Sequence, residues 1–213
     1  KPFVGRRAQL FEYSMSPEEK SLYDDVTAYL LEPDLCAFRG RSRQLLLIGF
    51  HRLMASSTAA LASSLERVAG RLGILLNGVS EDKLPDTGSA LMEDLEDDDA
   101  VEAGSEAAPP TSQRVQAELD RVTGFVQRAR ALPHDSKAAA LIDVVKEIGE
   151  RKDGNDKVVI FTESLTTQTY LERLLIENVG LEPQGITLFR GHNDSLRARE
   201  ALARWTEEIA DTL

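Results

Sequence analysis

The segment Lys157–Gly180 reads KVVIFTESLTTQTYLERLLIENVG and sets four hydroxyl side chains, Thr162, Ser164, Thr166 and Thr167, between an apolar run and an amphipathic stretch. Hydroxyls and open backbone N–H groups at the start of a helix suit a phosphate, because the N-terminal end of the helix dipole favours negative charge. Such contacts position a sugar–phosphate chain without reading its bases. The same residue types also cap helices, so a purely structural role for Thr162–Thr167 is the competing reading. The phosphate reading requires these hydroxyls to face solvent.

A second group is basic. Between Arg39 and Arg71 stand six arginines and His51, against one acid, Glu66. Arg41, Arg43 and Arg52 in this set could neutralise backbone phosphates, and each phosphate so contacted releases counterion. An ordinary arginine-rich helix surface with packed aliphatic stems is the alternative. Arg190, Gly191 and His192 follow another apolar run, ITLFR, at the carboxyl edge where ligands of parallel sheets gather. A solvated turn histidine is the simpler account of His192. No second His, Cys or acid stands at metal-ligand spacing, so no metal is expected.

Composition bounds the rest. The 213 residues carry a formal charge of −11, which argues against simple nonspecific nucleic-acid binding. That average hides segregation, because residues 84–113 hold many acids and no Lys or Arg. The sum therefore does not decide the partner. A hydrophobic fraction of 42% is enough for a core. No run of about 18 apolar residues occurs, so no membrane span is expected. The first residues, KPFVGRRAQLFEYS, lack an apolar signal core, and the absence of an initial Met suggests an excised segment. The single cysteine, Cys36, fits a reducing cytoplasm and reads as a buried thiol.

These side chains need elements to hold them. Alternation over 10–15, LFEYSM, predicts a short strand. Ser16 as N-cap, Pro17 at the first helical position and acids in the first turn predict a helix ended by Pro33. Further helices are expected over Arg43–Met54 and Thr58–Leu76, with Ser56 or Ser57 breaking and recapping between them. Residues 78–112 lose all periodicity and read as a solvated acidic linker. Helical spacing returns over 113–131. After a helix capped by Asp135 or Ser136, KVVIFT (157–162) and ITLFR (186–190) read as buried strands flanking a helix that stops at Gly180. That order predicts a right-handed parallel unit.

Several of these segments resemble one family. SMSPEEKSLYDDVTAYL is similar to the opening of the second ATPase lobe in HepA-like, SWI/SNF-type helicases of superfamily two. RLMASSTAALASSLERV resembles the paired-serine helix of that group, through Ser56, Ser57, Ala60, Leu61, Leu65, Glu66 and Arg67. The short DSK at Asp135–Lys137 resembles the motif that opens its RecA-like core. KVVIFTESLTTQTYLERLL resembles helicase motif IV, and FRGHNDSLRAREALARW the strand, Gly turn and Arg-bearing helix that follow. Ser164 and Thr166 stand where motif IV often has an aromatic and an Asp, whereas Thr167 matches. The Gly191-to-Arg199 spacing is one residue longer than usual, so Arg197 and Arg199 compete for the helix arginine.

The resemblance implies an α/β fold: a partial RecA-like parallel sheet with flanking helices, preceded by an α-helical insertion region. The expected organisation is a helical segment with basic insertion helices over 1–77 and an acidic linker over 78–112. A returning helix over 113–132 and an α/β half-lobe over 133–213 complete it. Function follows by the same route: a fragment of the C-terminal ATPase lobe of an ATP-dependent DNA helicase or translocase, contacting backbone rather than bases. Motif IV transfers a nucleic-acid-facing role to Thr162, Glu163, Ser164, Thr166 and Thr167, joined by Arg190, Gly191, Arg197, Arg199, Arg41, Arg43 and Arg52. ATP and Mg²⁺ would belong to the full-length parent. No G-x-x-x-x-G-K-S/T is present, no Asp-Glu pair ends a strand, and no finger arginine motif precedes Leu213, so this piece is not expected to hydrolyse ATP. Expected partners are DNA and the first ATPase lobe of the same chain, with no membrane and with a protein partner possible through the helical insertion. The implied location is a bacterial, nucleoid-associated cytoplasm. The alternative is a helical protein-interaction module on an α/β scaffold with no nucleic-acid role.

Overall fold

The computed structural model describes residues 8–38, 43–78, 110–132, 135–150, 157–189, 199–200, 202–203 and 206. Helix α1 spans Pro17–Leu31, α2 Arg43–Ser56, α3 Thr58–Leu76, α4 Ser112–Ala131, α5 Ser136–Glu150 and α6 Leu165–Val179. Short 3-10 turns lie at Cys36–Phe38 and Pro183–Gly185.

Local chemistry sets the boundaries. The Ser16 hydroxyl accepts from the Glu19 N–H at 3.1 Å, while the Glu19 carboxylate accepts from the Ser16 N–H at 2.8 Å, a reciprocal capping box. Pro17 follows at the first position, where no N–H is needed. Asp34 takes a left-handed backbone (φ 58°), which turns the chain after Pro33 into the Cys36–Phe38 turn. Between α2 and α3 the backbone of Ser57 is extended, and its hydroxyl accepts from the Ala60 N–H at 3.1 Å. Ser57 is therefore the residue that recaps the chain. Gly180 closes α6 at φ 78°, a conformation that costs glycine nothing.

Packing follows the apolar stripes. Leu61, Leu65, Val68 and Leu72 of α3 share one core with Val115, Val122, Phe125 and Val126 of α4. Leu22, Val26, Tyr29 and Leu30 of α1 and Phe50 and Leu53 of α2 complete it. Each such side chain contributes about 1.5–3 kcal/mol on full burial. The Tyr29 ring meets Phe125 at 5.8 Å, and the Arg121 guanidinium lies 5.3 Å from the Tyr29 ring centre. The Cys36 thiol is buried in this core. Helices α5 and α6 pack on each other, and α6 also packs against α3; Ala138, Val145 and Leu175 are buried there.

The expected α/β architecture is overturned. Among the described residues the chain is helical with no strand, so there is no partial RecA-like parallel sheet and no right-handed parallel unit. Residues 157–162 and 186–189 are neither helical nor laddered, and 10–15 likewise form no strand; Arg190, the last residue of ITLFR, lies outside the described set. A strand exists only through hydrogen bonds to a neighbour, whereas an apolar run states only a preference for burial. That preference goes unmet for part of the first run: Val159 is 60% and Phe161 92% exposed. The helices predicted on either side, α5 and α6, are present, α5 opening after Asp135 and α6 closing at Gly180.

Of the acidic linker, residues 79–109 lie outside the described residues. The segments expected on its two sides, 1–77 and 113–132, share a single core.

Candidate functional site

The short motifs meet at one polar junction. Asp135, 3% exposed, places its Oδ2 2.7 Å from the Thr58 N–H at the start of α3 and its Oδ1 3.0 Å from the Ala138 N–H in the first turn of α5. One carboxylate thus satisfies open donors of two helix N-termini and complements both dipoles. Two residues on, the Lys137 ammonium donates to the Ala55 carbonyl at 2.8 Å, at the C-terminal end of α2 where a cation is favoured. The middle residue, Ser136, donates both its N–H and its hydroxyl to the Glu19 carboxylate of α1. Three consecutive residues therefore fasten four helices.

Glu19 is buried within this junction. Burial alone would push its carboxyl up, but hydrogen bonds from Ser136 and from Ser16 outweigh that and hold it below the usual carboxylate range. A carboxyl lowered in the folded state stabilises the fold fully above its unfolded value, and that contribution is lost as pH falls through the folded one. The stability advantage of wild type over E19Q, read by urea denaturation followed by circular dichroism at a series of pH values, should therefore be full near neutrality and shrink as pH falls through the acid range. Equal acid profiles for the two proteins would contradict it. Tyr13, Tyr23 and Tyr170 gather around the same carboxylates. Burial first, and then the charges of Asp135 and Glu19, push all three phenols up.

The threonine-rich bend docks on the paired serines. The Thr167 hydroxyl lies 2.7 Å from both Ser56 Oγ and Ser57 Oγ, and Thr162 Oγ1 lies 3.3 Å from Ser56 Oγ. The Ser164 hydroxyl caps α6 by accepting from the Thr167 N–H at 3.1 Å. Ser164 and Thr167 are 1% and 3% exposed, so both are spent inside the fold and the solvent-facing condition for a phosphate contact fails at these two residues. Thr162 and Thr166 are half-buried, and Glu163 is exposed. Beside them Arg52 Nε contacts Glu163 Oε2 at 3.1 Å, their side chains 33% and 67% exposed.

No contact joins the other sequence-derived site residues to this junction among the described residues. Arg199 is exposed in a helical stretch. Arg43 opens α2, but its side chain falls outside the described set, as do Arg41, Arg190, Gly191, His192 and Arg197 entirely. A shallow cleft lined by Met15, Lys20, Tyr23, Thr27, His51 and Met54 lies between α1 and α2. Two residues that organise the molecule escaped the sequence reading. Glu19 was signalled by the S-x-x-E spacing from Ser16. Glu118 had no signal: it accepts from the Tyr29 hydroxyl at 2.9 Å and from the N–H groups of Cys36 and Ala37 at 2.6 and 3.0 Å.

Comparison of the chain with protein-family models, with curated proteins and with solved structures finds no match. Among the described residues no helix is long and apolar enough to cross a membrane, and no group of three His, Cys, Asp or Glu could hold a metal ion. The helix N-termini of the junction receive internal acceptors from Asp135, Ser16 and Ser164, and the sequence carries no G-x-x-x-x-G-K-S/T loop.

Proposed function

We propose that this chain is part of the second ATPase lobe of a SWI/SNF-type DNA translocase, acting there as a helical scaffold that presents backbone contacts to DNA. The observation that supports the reading is convergence. The segments carrying the resemblance are far apart in sequence, yet Ser16–Glu19, Ser56–Thr58, Asp135–Lys137 and Thr162–Thr167 meet through direct hydrogen bonds. Separate motifs that bond to one another describe a single structural unit.

Within that reading the roles divide. Ser164 and Thr167 are positioning residues, which lock the bend onto α2 and α3. Arg52 and Arg199, with Thr162 and Thr166, are the groups we assign to phosphate oxygens, Arg52 by exchanging its Glu163 partner. With Arg41, Arg43, Arg190, Gly191 and Arg197 they form the proposed contact set. Association with a first ATPase lobe and a cytoplasmic, nucleoid location belong to the same proposal. ATP and Mg²⁺ would be held by the parent, and no hydrolytic step is assigned to these residues.

Binding of a fluorescent duplex, followed by anisotropy across a salt series, tests the reading. Arg52→Ala should weaken affinity about threefold to tenfold and lower the slope of log K against log salt by about one, as loss of a single phosphate contact requires. ATP turnover should stay at background with DNA added; hydrolysis well above it would overturn the assignment of roles.

A second reading has its own support. Burial of Ser164 and Thr167, with Phe161 and Val159 exposed, suits a helical protein-interaction module with no nucleic-acid role. An Arg52→Ala protein with unchanged affinity, or a wild type that binds no duplex at all, would favour it.

A further inference from the structure

We propose that Glu163 sets the strength of DNA-backbone binding by acting as an internal competitor for Arg52. This inference rests on the nucleic-acid reading above and deepens it. Glu163 stands between two anchored neighbours. Thr162 lies within hydrogen-bond distance of Ser56 on one side, and Ser164 is the buried cap of α6 on the other. The backbone of Glu163 is thereby held in register with the last turn of α2, 111 residues away, where Arg52 emerges.

The side chain itself is held by a single exposed ion pair. Glu163 is 67% exposed, and the contact to Arg52 is through Nε at 3.1 Å. An ion pair this exposed contributes at most about fivefold to an equilibrium constant and weakens with salt. A phosphate group offers the same guanidinium a stronger, bidentate partner. Phosphate that engages the Nε edge of Arg52 must therefore displace a carboxylate whose backbone is fixed in the bend. The pair excludes weak anions and gives way to a polyanion that engages several cations together. It also explains an acid within a set of residues otherwise suited to phosphate: Glu163 tunes the contact and does not make it.

The test is a double-variant cycle read by anisotropy with a labelled duplex at low salt. E163Q should bind about threefold to fivefold more tightly than wild type, and the gain should shrink as salt rises. In an R52Q background the same substitution should leave affinity unchanged, because the competitor then has nothing to occupy. Tightening of equal size in both backgrounds would show simple charge repulsion and overturn the proposal. So would an E163Q protein that binds like wild type, with the nucleic-acid reading left standing. If neither wild type nor E163Q binds duplex at low salt, both readings fall together. Glu163 is exposed, so E163Q should unfold at the wild-type temperature, and the unfolding temperature of R52Q, a half-buried position, is measured alongside so that a folding effect is separated from a binding one.

Discussion

Asp135→Ala should destabilise the fold by about 3 kcal/mol, through the loss of one carboxylate that serves two helices. Its removal strands the Thr58 N–H and the Ala138 N–H at buried positions. A buried donor left unpaired costs about 1–3 kcal/mol, and a lost N-cap about 1 kcal/mol. The two sites share a side chain, so the losses arrive together. Asp135→Asn keeps an acceptor for only one of the two helix starts and should cost about half as much. Urea denaturation at constant m-value is the measurement. Asp143→Ala, at an exposed position of the same helix, is the control and should stay within about 0.5 kcal/mol. If Asp135→Ala matches that control, the junction does not hold the helices together.

The second large effect is expected far from the junction, at Glu118. This side chain of α4 accepts the Tyr29 hydroxyl and the two N–H groups that open the Cys36–Phe38 turn. Tyr29 is fully buried, and burial together with the adjacent Glu118 carboxylate drives its phenol well up, so it remains a donor throughout the accessible pH range. Glu118→Ala removes the acceptor that three donors share and should cost about 3 kcal/mol or more. Tyr29→Phe removes one donor and its need together and should cost only about 1 kcal/mol. In the double variant the penalties should fall short of their sum, since the two groups satisfy each other. Strict additivity would show that Glu118 acts on the turn alone.

Fold and candidate site were legible to different depths along this chain. The ends of α1, the break at Ser57, the run Thr58–Leu76 and the stop at Gly180 are all where residue types place them. The paired serines, the DSK and the threonine bend were visible as motifs. Their meaning was not, because a threonine before a helix reads alike whether it faces a phosphate or a serine. What packs against it decides, and for Thr167 that partner is Ser56, 111 residues earlier. Glu118 could not be found at all, since nothing near it in sequence shows that it reaches Cys36.

The error over the sheet has the same origin. Helices close their hydrogen bonds within four residues, so a short window of sequence contains both donor and acceptor. A strand borrows its partner from elsewhere, and KVVIFT and ITLFR could state an apolar preference without naming a neighbour. Sequence by itself therefore determined the helices, their caps and the amphipathic stripes that build the core. Tertiary structure alone decided that the apolar runs form no sheet, that Ser164 and Thr167 turn inward, and that Arg52 meets Glu163. Each of those outcomes depends on groups brought together from distant parts of the chain.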